Sequence, residues 1–128
     1  MAFSHIPDPL PPEGFSLPVD EIEGSFRTWG FLPGYSRNSL SARLTLYPEQ
    51  VELKVLSVSS YPYAALREVG YRPAGLLRQE RVVLFFTSPK HTSYSFIPSS
   101  APIRRAFLQF CVQRGLHLSA EAQQALLL

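Results

Sequence analysis

The stretch from Leu40 to Val55 leaves the backbone little choice. In Leu40-Ser41-Ala42-Arg43-Leu44-Thr45-Leu46 apolar and polar residues alternate, which puts Leu40, Ala42, Leu44 and Leu46 on one side. A period of two fits an extended strand with one buried face and does not fit a helix. Tyr47-Pro48-Glu49-Gln50 follows, with proline where a type I turn accepts it. The pattern then resumes, with Val51, Leu53 and Val55 facing one way and Glu52 and Lys54 the other. Two alternating runs joined by a short turn predict an antiparallel hairpin. Beyond Val55 the phase slips, because Leu56 and Val58 are the next apolar positions, and a bulge or strong bend is expected there.

Strand and turn signals fill the region from Gly24 to Pro98. Ser25 to Leu32 reads as a first strand carrying Phe26, Trp29 and Phe31, ended by Pro33-Gly34. Ala64 to Tyr71 reads as a short strand, and Arg72-Pro73-Ala74-Gly75 as a turn. Val82-Val83-Leu84-Phe85-Phe86 is an unbroken apolar run, the pattern of a strand covered on both faces. Pro89-Lys90-His91 predicts a hairpin loop, and Thr92 to Pro98 its returning strand, with Tyr94 and Phe96 alternating with Ser93 and Ser95. Antiparallel pairing is expected throughout.

A helix closes this region. Ser100 suits an N-cap, and Pro102 lies in the first turn, where its missing donor costs nothing. Ile103, Phe107, Phe110 and Cys111 recur at helical spacing, with Arg104, Arg105, Gln109 and Gln113 largely on the other side. Arg114 complements the helix dipole, and Gly115 suits a left-handed cap. Ser119 to Leu128 predicts a second short helix ending in three leucines.

Residues 1–23 differ in composition. Six of the twelve prolines lie at or before Pro33, and Pro7-Asp8-Pro9-Leu10-Pro11-Pro12 excludes a helix or a central strand. An extended arm over the domain surface is expected, although Pro9-Leu10-Pro11-Pro12 also satisfies the PxxP pattern of proline-recognising modules. The division is thus an arm over 1–23, a β domain with its helix over 24–118, and a helical tail over 119–128.

With 128 residues and 45% hydrophobic content, the chain is long enough for one packed domain. Its net charge of +2 is too small to mark a nucleic-acid footprint by itself. A single cysteine excludes a disulfide within the chain. No apolar run reaches the roughly 20 residues of a membrane span. The first residues lack the basic region of a secretory signal, so a cytoplasmic location is expected.

Taken together, the element order resembles a pleckstrin-homology-like (PH-like) antiparallel barrel of six or seven strands with a C-terminal capping helix, in the bacterial branch of that superfamily. The resemblance covers roughly residues 24–115. It rests on the Leu40–Val58 hairpin, on Tyr63, Leu66 and Val69 at the spacing aromatic-x-x-Leu-x-x-Val, on the apolar Val82–Phe86 strand, and on Tyr94, Phe96 and Pro98 before the helix. It implies a mainly β fold and a binding or scaffolding role rather than catalysis. Inositol-lipid binding is not implied, because the Pro33–Ser39 segment offers only Arg37 and the Tyr47–Gln50 turn carries Glu49.

Few residues stand at the spacing of a catalytic or metal site. His5, His91 and His117 are scattered and lack metal-site spacing. Cys111 beside Phe110 reads as a small buried hydrophobe, with nothing basic on its face to activate it. Asp20, Glu21 and Glu23 read as a solvated linker. Two features are more informative. Arg67, Arg72, Arg78 and Arg81, near Tyr61, Tyr63 and Tyr71, form a candidate anionic-ligand face. The leucines Leu126, Leu127 and Leu128 form a candidate assembly surface, because three leucines left in water make an apolar patch. No catalytic centre, cofactor or metal is expected. The partner expected is a protein or a second copy of the chain, with a membrane surface or anionic ligand as the alternative and nucleic acid disfavoured.

Overall fold

The structure, a computed structural model, describes residues 5–28, 32–87 and 91–128. Among these residues, nine strands and two helices follow in order: β1 (Phe15–Leu17), β2 (Val19–Thr28), β3 (Leu32–Asn38), β4 (Arg43–Leu46), β5 (Gln50–Lys54), β6 (Val58–Pro62), β7 (Leu66–Arg72), β8 (Arg81–Phe86), β9 (His91–Pro98), α1 (Ala101–Gln113) and α2 (Ala120–Ala125). A 3-10 turn, Tyr63–Ala65, links β6 to β7. The strands form two antiparallel sheets, β1-β4-β5-β6 and β3-β2-β9-β8-β7. Pro18 alone separates β1 from β2, and there the chain passes from one sheet to the other. Among the described residues no ladder joins β3 to β4 or β6 to β7, so the fold is two sheets rather than a closed barrel.

The central hairpin forms as its alternation demands. β4 pairs with β5 from Arg43 opposite Lys54 to Leu46 opposite Val51, and Leu44, Leu46, Val51 and Leu53 are buried. Leu40 departs from the expected buried face. The Asn38 carboxamide oxygen accepts from the backbone N–H of Leu40 at 3.1 Å and of Ser41 at 2.8 Å, which turns the chain before β4 begins. Leu40 is left outside. Thr45, expected on the solvent side, is buried, because the segment at Gly14 lies against its methyl group. The phase slip after Val55 is a tight bend over residues 55–57 that separates β5 from β6.

Three further expectations need correction. The arm ends sooner than position 23: β1 and the start of β2 belong to the sheets, and Leu10 reaches the core. Pro33-Gly34 lies inside β3, opposite Arg27 and Phe26, instead of ending a strand. Because β3 is an edge strand, a proline without a donor is tolerated there. Trp29 and Phe31 of the expected first strand, and Pro89 and Lys90 of the expected loop, lie outside the described residues. Arg104, expected on the solvent side of α1, is buried.

One hydrophobic core joins both sheets and both helices. Helix α1 supplies Ile103, Phe107, Leu108, Phe110 and Cys111 to it. Phe107 meets Phe96 of β9 edge to face at 5.2 Å, and Phe110 meets Tyr63 at 5.8 Å. Leu46, Val51, Leu66 and Leu84 surround the same aromatic pair, so the helix touches both sheets. Gly115, at φ +75°, ends α1 in the left-handed conformation, and the N–H of Leu116 donates to the Cys111 carbonyl at 2.9 Å. The returning chain then lies along the outer edge of β7. Val69 donates to the His117 carbonyl at 2.8 Å and accepts from the N–H of Ser119 at 2.9 Å. The Ser119 hydroxyl accepts from the N–H of Ala122 and caps α2.

Candidate functional site

Antiparallel strands send alternate connections to opposite ends of a fold. At one end lie the β3–β4 loop (39–42), the β5–β6 bend (55–57), the β7–β8 loop (73–80) and the entry to α1. Pro18 joins the two sheets at this end. So does Asn38, whose amide nitrogen donates to the Val55 carbonyl at 2.6 Å.

Each of the three strand connections there carries leucine in water. Leu40 is 99% exposed, Leu56 79%, Leu76 100% and Leu77 98%. Leu76 and Leu77 are the two central residues of a tight turn, whose flanks bond through the Gly75 N–H to the Arg78 carbonyl at 3.0 Å. Such positions ordinarily take Gly, Asn or Asp, so two leucines there run against local preference. Burying a leucine is worth about 1.5–3 kcal/mol, and the isolated chain gains none of it at these tips. Leu127 and Leu128, both exposed, lie at the same end. The Leu128 carbonyl accepts from Arg104 at 3.3 Å and from Arg105 at 2.8 Å, within the first turns of α1.

A buried polar node fixes this end. Arg104 donates to Glu80 at 2.7 Å, and the Tyr71 hydroxyl donates to the same Glu80 oxygen at 2.6 Å. Arg104 is nearly inaccessible, and its Nε has no hydrogen-bond partner. Burial, and then the hydrogen bond to the Glu80 carboxylate, push the Tyr71 hydroxyl up to about 12, with Arg104 acting in the opposite direction. The node ties the foot of the 73–80 loop to α1 and to the final residues.

The arginines singled out from the sequence divide. Arg67, Arg72 and Arg78 are exposed. Arg67 and Arg72 stand toward opposite ends of β7, and only Arg72 and Arg78 flank the leucine turn. Arg81 is drawn away into a network on the outer face of the five-stranded sheet. There it bonds Glu21 and lies 3.9 Å from Glu23, which Arg37 holds at 2.7 Å. The acids read as a solvated linker are therefore residues of β2: Glu21 and Glu23 stand in ion pairs, and Asp20 accepts from the Ser99 hydroxyl. Those carboxylates raise the Arg37 guanidinium above its ordinary value, through the Glu23 hydrogen bond first and the Glu21 charge next.

Of the tail leucines, Leu126 is half-buried against the core, whereas Leu127 and Leu128 remain in water. Sequence reasoning missed Leu40, Leu56, Leu76 and Leu77 as a group, since only the strand directions bring them to one end. A signal was present in Gly75-Leu76-Leu77-Arg78, an apolar pair immediately after turn residues.

Elsewhere the structure offers less chemistry. Cys111 is fully buried, and burial pushes its thiol well above the ordinary range. His117 lies 3.4 Å from Glu68 at the surface. No group of three metal-ligating side chains gathers among the described residues. A cleft of about 580 Å³ lies between residues 5–10 and α1, and Arg114 at its rim stacks over the Tyr63 ring at 4.2 Å. No helix among the described residues is long and apolar enough to cross a membrane. No family model, no curated protein and no solved structure matches this chain.

Proposed function

We propose that this chain is a non-enzymatic binding domain of PH-like architecture that docks through its leucine-tipped end. The observation that carries the reading is the exposure of Leu40, Leu56, Leu76 and Leu77 on three connections at one end. The architectural part is supported by the strand sequence, a meander in which β9 returns to pair with β2, and by a helix packed against both sheets. The non-enzymatic part is supported by the inert Cys111 thiol and by arginines engaged in structural pairs. A bacterial, cytoplasmic setting belongs to the same reading, and a buried free thiol suits a reducing compartment.

The test is a chain carrying Leu40→Ser, Leu56→Ser, Leu76→Ser and Leu77→Ser together. Leucines kept for docking contribute nothing to the isolated fold, so its unfolding free energy should stay within about 1 kcal/mol of the parent. Light scattering over rising concentration should show less association than in the parent. A loss of several kcal/mol would mean that these leucines pack within the chain, and the docking end would not exist.

A further inference from the structure

Resting on that docking reading, we infer that what this end meets is the surface of an anionic lipid bilayer. Two observations select it over a protein partner. The first is the spacing of the tips. Leu76 and Leu77 follow β7, and Leu40 follows β3, at opposite edges of the five-stranded sheet and four strand spacings apart, roughly 19 Å. Leu56 projects from the other sheet. A specific protein interface has a contiguous apolar core. Separate leucines standing clear of the surface suit a soft medium into which each enters independently.

The second observation is charge. Arg72 and Arg78 flank the leucine turn, Arg43 and Lys54 stand at the foot of Leu40 and Leu56, and Arg105 stands beside Leu128. Glu80, the carboxylate of the 73–80 loop, is held by Arg104 and Tyr71 and adds no free negative charge. Asp20, which accepts from the Ser99 hydroxyl, and Glu52 on β5 are outnumbered by the five cations. Leucine tips reach the acyl boundary while the cations of the flanking segments, one to four residues from the tips in sequence, stay with the headgroups. The anchoring is peripheral, by side chains on loops.

The experiment is flotation of the full chain with phosphatidylcholine vesicles, with and without about one third phosphatidylserine, at low and high salt. Partitioning onto the anionic vesicles should exceed that onto neutral ones by about tenfold or more and should weaken as salt rises. Leu76→Ser with Leu77→Ser should lower it by more than about tenfold. Arg72→Glu with Arg78→Glu should lower it on anionic vesicles and leave neutral ones unaffected. Both variants change exposed residues, and circular dichroism is the check that they fold. Equal binding to both vesicles, or full binding by the leucine variant, overturns the inference. Failure to float, combined with self-association that the four-leucine variant abolishes, overturns the bilayer as occupant and leaves the docking reading standing. Destabilisation of that variant removes both.

Discussion

The Arg104–Glu80–Tyr71 node holds the leucine turn in place, and a double-mutant cycle measures how firmly. Arg104 has 7% of its side chain accessible and Glu80 18%, so the pair is shielded but not fully dry. Deleting one partner of a fully buried pair costs about 3–5 kcal/mol, and partial exposure lowers that toward about 2–3 kcal/mol here. Glu80→Leu leaves the buried Arg104 guanidinium, whose Nε already lacks a partner, without its carboxylate, and takes the acceptor from Tyr71. Arg104→Met leaves Glu80 with its Tyr71 hydrogen bond, so it should cost less, about 1–2 kcal/mol. In the double variant no stranded charge remains, and its cost should fall below the sum of the singles by about 1–2 kcal/mol. Urea unfolding of the four chains measures each value, with an unchanged slope as the check on two-state behaviour. Additive costs, or a Glu80→Leu cost under about 0.5 kcal/mol, would refute the claim that the node anchors the loop.

Two other outcomes follow from geometry already described. Burial holds Tyr61, Tyr63 and Cys111 above their ordinary values of 10.0, 10.0 and 9.0, and pushes Tyr71 from 10.0 to about 12. A raised pKa in the folded state gives stability that is complete below the unfolded value and lost as pH rises past it. Thermal melts should therefore be insensitive to these groups at neutral pH and fall steeply above about pH 9–10, and a flat profile to pH 12 would contradict their burial. Gly14 and Gly115 both have positive φ, but a Cβ at Gly115 meets open space whereas one at Gly14 would lie 2.6 Å from the Thr45 methyl. Gly115→Ala should cost about 1 kcal/mol and Gly14→Ala clearly more, measured by the same unfolding assay.

Local periodicity made the β4–β5 hairpin, the β8–β9 pair and α1 legible, because each writes its buried face into adjacent residues. The same rule misplaced Leu40, where alternation continues into a loop that Asn38 turns aside. Phe15, Leu17 and Val19 also alternate, and prolines masked that signal for β1 and the start of β2. Burial of Arg104 was not legible, since its partner Glu80 sits on a distant loop. The leucine end was illegible for a related reason: it is a property of strand direction, which no single segment carries.

The pairing of β2 with β9 also sets the order of events in folding. Hairpins β4–β5–β6 and β7–β8 join neighbours in sequence and close short loops quickly. The five-stranded sheet cannot be completed until Val19 finds Pro98 across most of the chain. On a ribosome, β2 must therefore wait, unpaired by β9, until nearly the whole β region has emerged.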